Sequence, residues 1–192
     1  MARKIASRKQ KQVIPTIIGA GITEQHYFKH LQSLMNWRMK VRPRYFGSED
    51  INTIEKKVNE VINEEEGFAV CVFDADVAKW NETYKAKMEK FIDKYRKNKN
   101  VLICKSLPSI EFWFLIHFKD TNKSFLTSAS VIKELHKFIP SFDKSDSFLS
   151  NESWVKDLIG KMELACERAK KYESSEGSYS EVYRVIELLK SV

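Results

Sequence analysis

Apolar positions along the chain follow two periods in turn. Val13-Ile14-Pro15-Thr16-Ile17-Ile18 is a short β-branched run ended by Gly19-Ala20-Gly21, which reads as a buried strand entering a tight turn. Thr23 stands where a helix N-cap would. Tyr27, Leu31 and Leu34 follow at three- and four-residue spacing, predicting a helix over Glu24–Trp37. Val41–Phe46 predicts a second strand. Gly47-Ser48-Glu49-Asp50 then turns into a helix whose Ile51, Ile54, Val58, Val61 and Ile62 form one stripe. Phe68–Phe73 is continuously apolar, as a central parallel strand is, and stops at Asp74-Ala75-Asp76. A helix from Trp80 to Arg96 follows, with Tyr84, Met88, Phe91, Ile92 and Tyr95 inward. A strand over Val101–Cys104 and an aromatic-rich helical segment over Pro108–Phe118 complete the pattern.

That order, β-α-β-α-β-α-β-α, predicts an α/β fold with an open, mainly parallel sheet flanked by helices. From Ser124 onward the pattern predicts helices alone, over Ala129–Phe138, Glu152–Tyr172 and Ser178–Leu189. Ser141–Ser150 and Glu173–Ser178 are expected as polar loops. The expected organisation is a basic N-terminal arm (1–12), an α/β core (13–120) and a helical C-terminal extension (121–192) packing on it.

Composition narrows the class. At 192 residues, 43% hydrophobic and 31% charged, the chain suits one globular domain with an extension. No apolar run approaches the ~20 residues of a membrane span. No signal-peptide core follows Arg3, Lys4, Arg8, Lys9 and Lys11, so a cytoplasmic address is expected. Cys71, Cys104 and Cys166 are odd in number and far apart, as reduced structural cysteines would be. The net charge of +7 favours polyanionic partners such as nucleic acid. Basic residues cluster in the N-terminal arm and in Arg38, Lys40, Arg42 and Arg44, which alternate along the second strand and give it one basic face. The Lys/Arg-rich helix from Lys85 to Lys99 is more simply a solvated face.

In open α/β sheets, loops at the carboxyl ends of parallel strands converge on one crevice. Three polar groups fall there: Gly19–Glu24, Asp74–Asp76, and Lys105–Pro108 leading to Glu111. Two aspartates two residues apart at the end of a buried strand suit a hard cation, Mg²⁺ or Mn²⁺. The plain alternative is one Asp capping a helix and the other in solvent, and an Asp-x-Asp also serves phosphatases of the haloacid-dehalogenase type and many glycosyltransferases. Gly19-Ala20-Gly21 lacks both the Lys-Ser/Thr and the third glycine of nucleotide loops, so it reads as a tight turn. Glu24 either completes a metal site or sits in the first helical turn, where the helix dipole favours it. Glu111, in an apolar segment, needs a metal, Lys105 or a backbone cap as partner. Lys105 either steadies a phosphate or neutralises Asp74 and Asp76. His117 reads as a satisfied structural residue, His26, His30 and His136 as surface residues, and Phe112-Trp113-Phe114 as core rather than a base-stacking platform.

Three blocks taken together resemble the RloB-like family: Ile17-Ile18-Gly19-Ala20-Gly21-Ile22-Thr23-Glu24-Gln25-His26-Tyr27-Phe28, then Phe73-Asp74-Ala75-Asp76, then Ser106 to Phe118. That family's pattern is a strand ending Glu-Gly-x-Thr-Glu followed by Tyr-Phe, an aspartate pair, and Ser-Asn-Pro-x-Phe-Glu-x-Trp with a closing His-Phe. The resemblance implies a Toprim-like fold and a Mg²⁺-dependent nuclease in bacterial defence against phage. It also implies action on tRNA, other RNA or DNA, an ABC-type ATPase encoded alongside, and room for homo-oligomerisation. It implies that Glu24, Asp74 and Asp76 hold metal and that these three, position 20 and Glu111 form the catalytic set. Arg38, Lys40, Arg42, Arg44 and Lys105 would hold nucleic acid.

The departures matter. The family's first Glu falls on Ala20, which can neither take a proton nor ligate a metal. The chain is therefore expected to be inactive or nearly so. Either it is a naturally silent member or the catalytic Glu has been replaced. Leu107 and Ile110 replace the family's Asn and Phe. A different class of function, a non-catalytic Toprim partner that docks on and regulates a defence ATPase, fits Ala20 equally well. A phosphotransferase with Asp74 as nucleophile is a third reading.

Overall fold

The computed structural model describes residues 13–19, 21–42, 51–64, 67–76, 82–173 and 176–192. The N-terminal arm, Ala20, Arg44 and most of the predicted second strand lie outside these residues. Pro15–Gly19 (β1) leads into Ile22–Met35 (α1), then Lys40–Arg42 (β2), Ile51–Asn59 (α2) with a π-helical turn at Glu60–Glu64, and Phe68–Asp74 (β3). Glu82–Tyr95 (α3), Val101–Leu107 (β4) and Glu111–Phe118 (α4) complete the α/β part. Then come Ser128–Leu135 (α5), Asp146–Leu149 (α6), Ser153–Ile159 (α7), Met162–Tyr172 (α8), Tyr179–Ser180 (β5) and Val182–Ser191 (α9).

The strands form one sheet in the order β2-β1-β3-β4-β5, parallel except for β5 against β4. This is the expected α/β architecture, a mainly parallel sheet between helices, as a Toprim-like fold requires. Successive side chains along a strand point to opposite faces, so each buried strand feeds two cores. Ile17, Val70, Val72 and Cys104 join α1, α4 and the C-terminal helices in the larger core. Ile18, Ala69, Cys71, Phe73 and the stripes of α2 and α3 form the smaller one. Trp113, fully buried, donates its indole N–H to the Tyr27 hydroxyl at 2.8 Å and so locks α4 to α1.

Several expectations are corrected. The segment after Ser124 is not purely helical, because Tyr179–Ser180 pairs antiparallel with Ser106–Leu107 and closes the sheet edge. Glu152–Tyr172 is two helices, broken at Gly160–Lys161, where glycine weakens helix propagation. The polar loop 141–150 contains the short helix α6, capped by Ser145, whose Oγ accepts from the Phe148 N–H at 3.4 Å. The N-cap of α1 is Gly21 rather than Thr23. Strand β4 runs to Leu107, so Lys105 lies within it and not after it. His26 and His30 are half-buried rather than on the surface. Among the described residues no helix is long and apolar enough to cross a membrane.

Candidate active site

Register decides which side chains can meet. Asp74 is paired with Ser106 and Gly19 with Val72, which places all of them on the face of the larger core at the carboxyl ends of the parallel strands. Helices α1 and α4 cover that face, and their first turns carry Glu24 and Glu111 to the same rim. Both are buried, at 3% and 0% exposed. Gly19 and Gly21 make room for Glu24. A Cβ on Gly19 would lie 2.8 Å from the Glu24 Cβ, and one on Gly21 would lie 2.6 Å from its Oε2. The glycines of the turn therefore serve a carboxylate, not a nucleotide.

Asp74 accepts the Ile110 backbone N–H at 2.9 Å, from the start of α4. Burial pushes its carboxyl well above the ordinary carboxylate range, and the charges of Glu24 and then Glu111 push it further. The Ile110 bond and Lys144 pull the other way without prevailing. Three acids far apart in sequence thus share one electrostatic environment. Glu111 accepts from Ser109 Oγ at 2.5 Å and from Ser128 Oγ at 3.4 Å, both on Oε2. Its other oxygen, Oε1, is buried and forms an ion pair with Lys144 Nζ at 2.9 Å. Lys144 Nζ also donates to Ser128 Oγ at 3.0 Å. Burial draws the Lys144 pKa down, but Glu111 outweighs it, helped by Asp74 and Glu24, and the pKa ends raised. Lys144 is an ammonium held by the acidic rim.

A family model for RloB-like proteins matches residues 16–189, nearly the whole chain. The chain belongs to the RloB-like family. No curated protein and no solved structure matches it. The family's three blocks supply the rim: Glu24 from the first, Asp74 from the second, and Ser109, Ile110 and Glu111 from the third. Ala20, between Gly19 and Gly21, lies outside the described residues. Asp76, the other half of the predicted pair, is half-buried two residues beyond the end of β3, and the carboxylates that dominate the field at Asp74 are Glu24 and Glu111.

The basic residues divide. Lys105 pairs in register with Phe73, so its side chain starts on the face opposite Asp74, and its backbone N–H donates to Glu181 Oε2 at 2.8 Å. The cation beside Glu111 is Lys144, not Lys105. Arg38 and Lys40 are exposed and Arg42 half-buried at the β2 edge. Lys40 and Arg42 share a face with Thr16 and Ile18, again away from the acidic rim. His117 is only half satisfied: Nδ1 donates to the Trp113 carbonyl at 2.8 Å, while buried Nε2 has no partner.

Sequence reasoning missed Lys144, Ser109 and Ser128. Lys144 stands in a stretch of alternating charge and serine, 33 positions after the acid it meets, with no spacing signal to single it out. The donor chemistry of the rim, carboxylate oxygens in a crevice, fits a hard divalent ion. The arrangement as it stands does not: among the described residues no three acidic, His or Cys side chains are placed to hold one.

Proposed function

We propose that this chain is the scaffold of a divalent-cation-dependent phosphodiesterase that cuts nucleic acid, RNA or tRNA included, as an effector of bacterial defence against phage with an ATPase partner. In this reading Ala20 keeps it silent. The observation that carries the reading is the meeting of Glu24, Asp74 and Glu111, from three separate stretches, at one rim of the parallel sheet. Glu24 and Asp74, with Asp76 or Glu111, would hold Mg²⁺ or Mn²⁺, which when bound polarises a phosphate and acidifies water. The Ile110 N–H and Ser109 hydroxyl orient Asp74 and Glu111. Arg38, Lys40 and Arg42 would track a polyanion along the sheet edge.

The test is Ala20→Glu, assayed with Mg²⁺ or Mn²⁺ on DNA, RNA and tRNA. The expected result is cleavage that needs the substitution and the metal, and that EDTA or Asp74→Asn abolishes. Absence of cleavage of all three with both metals would overturn the reading. One observation favours the second reading, a non-catalytic partner of an ATPase: the rim already carries a counter-ion, Lys144. That reading expects complex formation and altered ATP turnover with no cleavage in either form.

A further inference from the structure

Away from the rim, Phe118 at the end of α4 lies against Phe138, three residues past the end of α5, with ring centroids 5.3 Å apart and planes 8° from parallel. We infer that the outer face of Phe138 is a stacking platform for an unpaired base, so that the nucleic acid bound here is single-stranded. The inference rests on the nucleic-acid part of the reading above and narrows it.

Three observations carry this. The first is geometry. The core pairs Phe112–Phe125 and Phe114–Phe142 are each tilted by 56°, as the ring quadrupole favours. Phe118–Phe138 is flat instead, and Phe138 is 41% exposed. A ring with one face against a parallel neighbour shows water its other face, and every base has a π-face that can stack there. The second is rigidity. The Phe138 and Ile139 N–H groups both donate to the Leu135 carbonyl at 2.9 Å, and Leu135 and Ile139 are buried. The backbone under the ring is anchored, so stacking has little disorder to remove. The third is charge. Lys119 and Lys137, each next in sequence to one of the rings, share a single acid, Glu134, at 3.0 and 2.8 Å, which leaves that trio net positive. Lys161 adds a further charge, its Nζ 5.3 Å from the Phe118 ring centroid. Asp120, next along the chain, is held by Lys171 and the Tyr172 hydroxyl. An exposed flat ring among surplus lysines matches a base with its phosphates better than an apolar protein surface.

The experiment is fluorescence anisotropy of the full-length protein with labelled single strands, oligo-U and oligo-dT, and with a duplex of the same length, in EDTA so that no metal-dependent step intervenes. The parent is expected to bind the single strands more tightly than the duplex. Phe138→Ala should weaken single-strand binding about five- to a hundredfold, the span set by stacking one base on an aromatic ring, and leave its salt dependence unchanged. Phe138→Trp should bind at least as tightly as the parent. Lys137→Ala should instead make the salt dependence shallower by about one phosphate contact. Parent-like affinity of Phe138→Ala, or a duplex bound as tightly as the single strands, overturns the inference, leaves the phosphodiesterase reading standing, and assigns the face to a protein partner. A parent that binds no nucleic acid overturns both. Should Phe138→Ala fail to fold, Phe138→Leu decides, because it keeps an apolar side chain and removes the flat π-face: weakened single-strand binding supports the platform and unchanged affinity overturns it.

Discussion

His117 makes the fold sensitive to mild acid. Its Nδ1–H donates to the Trp113 carbonyl, so the lone pair sits on Nε2, buried and without a partner. Burial, foremost, pulls its pKa from 6.5 to about 3, opposed by the Trp113 bond and aided by Arg168 and Lys161. The folded state therefore refuses a proton that the unfolded state accepts below pH 6.5. Stability from this group is complete above that value and is lost as pH falls toward 3. At about 1.4 kcal/mol per unit, the loss between pH 7 and pH 5 is about 2 kcal/mol. That figure hardly depends on the folded value, since any folded pKa more than a unit below 5 gives the same answer. His117→Phe removes the titration and leaves every other charged group in place. Urea unfolding, followed by the fluorescence of buried Trp113 and Trp154, would be compared at the two pH values. The parent's advantage over the variant at pH 7 is expected to shrink by about 2 kcal/mol at pH 5. A gap that does not change with pH would mean that the imidazole is protonated inside the fold, and the reasoning would fall.

Other expectations test the rim and its surroundings. Gly19→Ala should cost about 1–3 kcal/mol, since the new methyl meets the stem of Glu24, whereas Gly21→Ala meets the far end of that side chain, which can shift by rotation, and should cost less. Thermal unfolding of the two variants checks the order. Asp74→Asn keeps an oxygen for the Ile110 N–H and removes a carboxylate whose pKa is raised. The unfolded state loses its Asp74 proton first as pH rises past 3.8, so the parent loses stability over that interval and the Asn form should be the more stable at neutral pH. The gain should vanish below pH about 4, as unfolding curves across that range would show. Ser106→Ala breaks a buried hydroxyl pair 2.8 Å long with Ser180 and should cost about 1–2 kcal/mol. The Ser106→Ala/Ser180→Ala double variant should cost less than the sum of the singles in the same assay. All three cysteines are buried, and burial pushes Cys71 up to about 12, so thiol reagents at pH 8 should label them only after denaturant is added.

The sheet was legible because continuous β-branched runs and helical stripes obey local periodicity. Phe68–Phe73 and the stripe Ile51, Ile54, Val58 and Val61 lie in strand and helix as their patterns require. Tyr179–Ser180 was not legible: two residues carry no period, and they are a strand only because Ser106 and Leu107 present an edge to them. Gly160 hid inside a stripe that runs on unbroken from Leu158 to Met162. At the rim, Asp74 could be found because a strand end followed by acid is a local signal. Its pairing with Glu24 and Glu111 followed from topology, which spacing reports only indirectly. Lys105 misled for a simple reason of parity: one position along a strand separates the face of Asp74 from the face of Phe73. Lys144 was invisible because charge in a polar loop ordinarily faces water.

The two-residue strand β5 has a consequence for a chain shortened at its C-terminus. Beside it the Glu181 N–H donates to the Lys105 carbonyl at 2.8 Å, and the Glu181 carboxylate takes the Lys105 N–H in return. The strand next to Asp74 therefore acquires its outer neighbour only from residues some seventy positions further along the chain. Lys144, the ion-pair partner of Glu111, precedes that strand in the chain and does not depend on it. A chain cut before Tyr179 would keep Glu24, Asp74 and Glu111 and leave that edge of the sheet unpaired.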